Sequence, residues 1–334
     1  MARRGLLALF LVLSLSQTNA QQQLQRYNID PSKTTVSGIS SGGIMAIQYH
    51  FAHSTRVHGA GVYATVPYMC GFGGVAAATT CMSTPNLVNI PFLISEANAM
   101  ASQGYIDNPN NVQGDPVYIY HGSQDSVVRP GSGPNVREVY QHFGARIVSK
   151  FDIASDHAQP TNNYGSACGS SAENTAWISN CNYQGAFEML NHLYGGSLRR
   201  PDGNTVANGD FILFSQSEFF NFAPSLSSMD TAGYVYVPTG CIDKTTPCAL
   251  HIAFHGCVQN RAAVGDVYAR RAGYLEVAEL NNIVVLFPQT IASTLLGNPN
   301  GCWDWWGYLN QLYSAREGNQ VLATYRMMNR IING

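Results

Sequence analysis

Charge is scarce in this chain. Lys, Arg, Asp and Glu together make up 11% of its 334 residues, against about 25% in an average soluble protein. The two signs nearly cancel, 18 against 20, for a formal net charge of −2. That balance gives no basic surface for nucleic acid and no acidic tail for a cationic partner. No apolar stretch after residue 20 is long enough to cross a bilayer, so no membrane span is expected. Repeats, low-complexity tracts and Pro/Thr/Ser-rich linkers are also missing, which argues against a tethered accessory module and for one domain over residues 21–334. No two cysteines have the CxxC spacing of a zinc or redox site, and neither a metal nor a cofactor is expected. No Asn-x-Ser/Thr sequon occurs, so no ordinary N-glycan is expected either.

What is present begins at the first residues. Arg3 and Arg4 precede an apolar run from Gly5 to Leu15, and Thr18-Asn19-Ala20 offers small residues before Gln21. This is the pattern of a secretory signal peptide over residues 1–20, too short in its apolar part for a membrane helix. Export makes the eight cysteines an even set in an oxidising compartment, and up to four disulfides follow. Closeness in sequence favours Cys70–Cys81, Cys168–Cys181 and Cys241–Cys248. A polar, weakly charged surface suits an extracellular protein that meets a neutral substrate.

The chain alternates strand and helix patterns. Thr35–Ser37 reads as a strand running through a Gly-rich turn into a helix from Gly43 to Ala52. His58–Thr65, Pro116–Tyr120 and Arg146–Phe151 read as strands, with helices at Ile94–Ser102, Val136–Phe143 and Gly185–Leu193. After a Gly/Asn/Asp-rich connection at Pro201–Gly209 come strands at Phe211–Ser215, Tyr234–Val237, Leu250–His255 and Ile283–Phe287. Helices at Asp266–Leu280 and Gln320–Ile332 complete the set. Such alternation predicts an α/β fold with a mostly parallel sheet covered by helices on both faces.

Gly38-Ile39-Ser40-Ser41-Gly42 matches G-x-S-x-G. In a nucleophile elbow the serine sits on a strained strand-to-helix turn, and side chains at the flanking glycines would strike neighbouring backbone. The Val117–Tyr120 strand then leads through His121-Gly122-Ser123-Gln124 to Asp125, a carboxylate placed to orient an imidazole. One strand further on, Asp156-His157 occupies the loop after Phe151. Of nine histidines, His157 stands where the base belongs, while His121 reads as a structural or supporting residue. Ser40, Asp125, His157 is the chain order of an α/β-hydrolase triad. The oxyanion of an attacked ester needs two backbone N–H donors. Ser41 supplies one, and the loop carrying His255-Gly256-Cys257 the other. In an ordinary α/β-hydrolase two antiparallel strands and the His-Gly strand precede the nucleophile. Here the nucleophile comes first, so the expected fold is a circularly permuted α/β-hydrolase. Permutation is tolerable because termini and loop tips lie at the surface.

His255-Gly256-Cys257-Val258-Gln259, Phe287-Pro288-Gln289 and Asn300-Gly301-Cys302-Trp303-Asp304-Trp305 resemble the secreted poly(3-hydroxybutyrate) depolymerase family. Cys241 to Cys248 and Ser179-Asn180-Cys181-Asn182-Tyr183 also fit its single-domain, circularly permuted fungal-type members. The resemblance runs over nearly the whole chain after residue 20. It implies Ser40, Asp125 and His157 as triad, the Ser41 and Cys257 amides as oxyanion hole, and a Cys257–Cys302 bridge. It also implies Trp305 as an aromatic wall for a polyester. Flat apolar area suits a polymer that offers little hydrogen bonding beyond its carbonyls. Trp303 is counted with Trp305 as a substrate contact, although one of Trp303, Trp305 and Trp306 is expected in the core, and Trp177 reads as structural. Asp156, directly before the base, departs from the family pattern and is expected to raise the pKa of His157.

These readings predict a secreted, monomeric carboxylic ester hydrolase that acts on poly(3-hydroxybutyrate) or its oligomers through an acyl-enzyme. Its partner is an ester substrate, with neither nucleic acid nor membrane involved. A feruloyl or acetylxylan esterase shares fold and triad and is the alternative. A catalytically silent binding protein on the same scaffold is the third reading.

Overall fold

The computed structural model describes residues 21–334, so the signal-peptide reading lies outside the described residues. The chain forms β1 (Ile29–Ile39), α1 (Ser41–Ala52), β2 (Ala60–Tyr63), α2 (Val75–Ser83), α3 (Ile90–Ser102), β3 (Pro116–Tyr120), α4 (Ser132–His142) and β4 (Arg146–Lys150). Three short strands follow, β5 (Gln159–Thr161), β6 (Ser166–Ala167) and β7 (Ile178–Asn180), and then α5 (Gly185–Leu193). The second half comprises β8 (Asp210–Ser215), β9 (Ala232–Val237), β10 (Cys248–Phe254), α6 (Arg261–Val264), α7 (Val267–Arg271), α8 (Tyr274–Asn281), β11 (Ile283–Phe287) and α9 (Asn319–Asn333).

Thr34–Ile39 of β1 and all of β3, β10 and β11 are buried on both faces, as interior strands of a parallel sheet must be. They lie in an eight-stranded sheet of order β4-β3-β2-β1-β10-β11-β9-β8. The pairings from β4 to β11 are parallel, and β9 and β8 add on antiparallel. Side chains alternate between two cores. Leu250, Ile252 and Phe254 face α1, α3, α4 and α9, whereas Ala249 and Ala253 face α5, α7 and α8. The period of two along a strand thus puts helices on both faces. A separate three-stranded sheet, β5-β7-β6, packs against α5.

Read from β8, the order is two antiparallel strands, then β10 ending before His255-Gly256, then β11, and only then β1 with its serine. Tyr27 N–H donates to Ile331 O at 2.9 Å, so the segment entering β1 lies against the end of α9. The sheet therefore has the α/β-hydrolase arrangement entered at a different point. Several details differ from the sequence reading: α3 begins at Ile90 rather than Ile94, and β5, β6, β7 and α6 are not in the expected set. The helix expected over Asp266–Leu280 is split at Gly273, whose φ of 88° is left-handed, and α2 was not expected at all.

Candidate active site

β1 delivers the serine. The chain leaves Ile39 and turns at Ser40, whose φ is 55°, a region that non-glycine residues seldom occupy. The Ser40 N–H donates to Tyr63 O at 2.9 Å, and its carbonyl accepts the Thr65 hydroxyl at 2.8 Å. α1 then crosses directly over β1 and β10. A Cβ on Gly38 would overlap the Gly42 carbonyl, and one on Gly42 would overlap the carbonyl oxygens of Phe254 and His255. Two glycines around the serine are what this crossing requires.

The acid comes from the turn after β3. Asp125 is 1% exposed. Its Oδ1 accepts the Val127 and Val128 N–H groups at 2.9 and 2.8 Å, and its Oδ2 accepts His157 Nδ1–H at 2.8 Å. His157, from the loop after β4, packs edge-on against the Trp177 ring at 5.6 Å between centroids. Asp156 does not turn to the imidazole. Its carboxylate accepts the Ser126 N–H and hydroxyl, both at 2.8 Å, and so ties the base loop to the acid turn. Partial burial works to raise its pKa, but the Ser126 hydrogen bonds, the His157 backbone N–H and attraction to the nearby His157 ring together outweigh that and hold it below the usual carboxylate value. His121 is buried, with Nε2–H donating to Val128 O at 2.8 Å, beneath the same turn.

Ser40 and His157 line one cavity of about 450 Å³ together with Cys257, Trp177, Trp305 and Trp306. No hydrogen bond joins the Ser40 hydroxyl to the imidazole; such pairs are often loose until substrate is bound. The Ser41 N–H is the first of those that α1 leaves without an intrahelical acceptor. The Cys257 N–H sits in the loop after β10. A Cβ on Gly256 there would stand 3.2 Å from Ser40 Cβ, which shows how closely this loop approaches the serine. His255 Nδ1–H donates to Gly256 O at 2.7 Å, and its Nε2 accepts Thr290 N–H at 3.2 Å. Complete burial lowers the pKa of His255 to about 4 and keeps it neutral. The Gly256 carbonyl and the Cys257 N–H belong to one trans peptide and point in opposite directions, so holding one aims the other.

The cysteines pair as Cys70–Cys81, Cys168–Cys181, Cys241–Cys248 and Cys257–Cys302. The last joins the His255-Gly256-Cys257 loop to the tryptophan-bearing loop, and Val258 N–H donates to Asn300 O at 2.8 Å across the same seam.

The tryptophans divide differently from the sequence reading. Trp305 borders the cavity, but Trp303 is fully buried and outside its lining. The Trp303 indole N–H donates to His255 O at 2.9 Å, and its ring packs on Phe254. It is a buttress under the loop, because the strand end it supports leaves no open side. Trp177, expected to be structural, is a cavity wall, as is Trp306. α2 adds Val75, Ala78, Thr79 and Met82 to the rim. The Cys70–Cys81 and Cys168–Cys181 bridges close the loops that carry Val75, Ala78, Thr79 and Trp177. Among the described residues no His/Cys/Asp/Glu cluster could hold a metal ion, and no helix is long and apolar enough to cross a membrane.

A mostly parallel sheet with a serine on its central strand-to-helix elbow, an Asp–His pair at the neighbouring strand ends and a glycine loop facing the serine defines an α/β-hydrolase. No family model matches the chain. It is 42% identical over 325 residues to the poly(3-hydroxybutyrate) depolymerase of Delftia acidovorans, a match that covers 96% of this chain but 64% of that one, so the chain spans just under two thirds of that relative's length. It is 31% identical over 329 residues to the polyhydroxybutyrate depolymerase of Talaromyces funiculosus, covering 94% of each. The chain belongs to the polyhydroxybutyrate depolymerase family. Two solved structures match at 31% identity over 93% of this chain and 99% of theirs. One is the depolymerase of Penicillium funiculosum, at a TM-score of 0.82, and the other is a depolymerase with one serine changed to alanine, in complex with an R3HB trimer, at 0.84.

Proposed function

We propose that this protein is a secreted serine esterase that hydrolyses poly(3-hydroxybutyrate) or its oligomers. One observation carries the reading: His157, which lines the same cavity as Ser40, donates its imidazole N–H to the buried Asp125 at 2.8 Å. Ser40 Oγ attacks the ester carbonyl carbon while His157 Nε2 takes the hydroxyl proton, and Asp125 stays ionised beside the imidazolium. The carbonyl oxygen becomes an oxyanion that accepts the Ser41 and Cys257 N–H groups. Collapse of this intermediate breaks the ester C–O bond. His157 gives its proton to the departing alkoxide, and a 3-hydroxyacyl group remains on Ser40. Water, deprotonated by the same imidazole, then attacks the acyl carbon and returns the Ser40 hydroxyl.

Trp305, Trp306 and Trp177 give the cavity apolar walls suited to a polyester chain. Family membership and the relative in complex with an R3HB trimer support that substrate class. Four disulfides fit an oxidising compartment, and with the N-terminal pattern they support cleavage after residue 20 and export. Residues 21–334 form its catalytic domain. It works as a monomer, without metal, cofactor, nucleic acid or membrane.

Replacement of Ser40 by Ala is expected to abolish clearing of a polymer suspension with an unchanged circular dichroism spectrum. Retained clearing defeats the nucleophile assignment. Rates on 3-hydroxybutyrate oligomers should exceed those on feruloyl or acetylated sugars; the reverse order assigns the site to a carbohydrate esterase.

A further inference from the structure

Gln259 takes no part in the proton transfers, yet its side chain bonds two loops that both line the cavity. It is 2% exposed. Its Oε1 accepts the Gly256 N–H at 2.5 Å, and its Nε2 donates to Ala176 O at 2.6 Å. One partner is a donor and the other an acceptor, so a single orientation of the amide satisfies both.

Each end of this brace holds strained backbone. Val258, next to Gln259, is a β-branched residue at φ 53°, and Ala176 and Trp177 are consecutive non-glycine residues at 55° and 56°. Such conformations persist only where surrounding bonds over-determine them. Trp177 is held on its far side by its N–H to Ala172 O and by Gln159 N–H to its own carbonyl, both 2.8 Å. The Ala176 carbonyl, at the other end of the peptide that carries the Trp177 N–H, is held by Gln259. At one end, then, Gln259 fixes the amide preceding the Gly256–Cys257 peptide. At the other it fixes the turn that sets the Trp177 ring against His157.

Resting on the triad reading above, we infer that Gln259 is a positioning residue that keeps the Cys257 oxyanion donor and the Trp177-backed base in register. A purely structural glutamine would satisfy the same two backbone groups and affect only stability. The two roles differ in what they predict for turnover per folded active site.

The test uses p-nitrophenyl butyrate, with folded sites counted by a serine-directed phosphonate. Ser40→Ala is run beside the wild type. If it keeps activity, the triad reading fails and this inference falls with it, whatever Gln259 variants do. With that control inactive, Gln259→Leu is expected to lower kcat per titrated site by about ten- to hundredfold, with KM within about threefold, since misplacing an oxyanion donor costs turnover rather than binding. Gln259→Glu keeps the acceptor for Gly256 N–H but turns a carboxylate to Ala176 O; once protonated, it can donate there again. Its kcat relative to wild type at the same pH should therefore rise as pH falls from 7 to 5. Wild-type kcat in Gln259→Leu, or a flat ratio for Gln259→Glu, overturns the inference. If Gln259→Leu does not fold, the Gln259→Glu ratio decides alone.

Discussion

Asp125→Asn separates the acid's chemical role from its structural one. Oδ1 of Asp125 accepts two backbone N–H groups, from Val127 and Val128, while Oδ2 accepts His157 Nδ1–H. An asparagine must keep its oxygen on the Val127 and Val128 side, because the reverse orientation would press an NH2 group against two donors. Its NH2 therefore faces Nδ1, which must become an acceptor, and the ring proton moves to Nε2. An imidazole in that tautomer cannot take a proton from Ser40. In serine proteases the matching change lowers kcat about 10⁴-fold with the geometry intact, equivalent to about 5 kcal/mol of transition-state stabilisation. The loop should survive, since both backbone bonds to residue 125 are kept. Asp125→Ala instead leaves those N–H groups without acceptors and is expected to cost about 1–3 kcal/mol of stability for each buried orphan. Steady-state hydrolysis of a soluble ester and thermal unfolding of both variants provide the assay. Asp125→Asn with kcat within tenfold of wild type refutes the tautomer reasoning.

Trp305→Ala should raise KM for an R3HB trimer about tenfold or more, as about 2 kcal/mol of aromatic contact is lost. A change confined to kcat would contradict its role as a wall. Replacing Cys257 and Cys302 together by Ser opens a bridge with a sequence separation of 45, worth about 4 kcal/mol by chain entropy. Opening Cys241–Cys248, with a separation of 7, should cost about 2 kcal/mol and leave kcat unchanged. Denaturant midpoints and kcat for the two double variants check this order. Burial holds His255 and His53 near 4 and His251 near 3, below the usual ~6.5. The unfolded chain therefore takes up protons that the native protein refuses. Stability is full above about pH 6.5 and falls as pH drops toward 4, by about 3 kcal/mol for His255 alone. A thermal midpoint flat between pH 7 and 4 would contradict it.

The sequence carried most of the scaffold because burial on both faces writes itself as continuous apolar runs. PVYIY at 116–120 and IVVLF at 283–287 are strands with the bounds their composition suggests. The permutation was legible too, since it follows from the order of G-x-S-x-G and His-Gly. What escaped were features set by long-range contact. α2 is made of small residues and presents only Ala78 and Cys81 to the core, so it lacks the stripe that marks an amphipathic helix. Trp303 and Trp305 stand two positions apart in one motif, yet one is a buttress and the other a wall. Only the path of the Cys302 loop decides which. Asp156 looked like a neighbour of the base by sequence, but its carboxylate turns to Ser126, thirty residues earlier.

The central claim is that Ser40 is the atom acylated by a hydroxybutyrate ester, and peptide mapping tests it most directly. After reaction with a serine-directed phosphonate, the label should sit on Ser40, R3HB-trimer hydrolysis should fall in proportion to labelling, and Asp125→Asn should label far more slowly. Trimer hydrolysis that continues with Ser40 fully labelled would contradict the account.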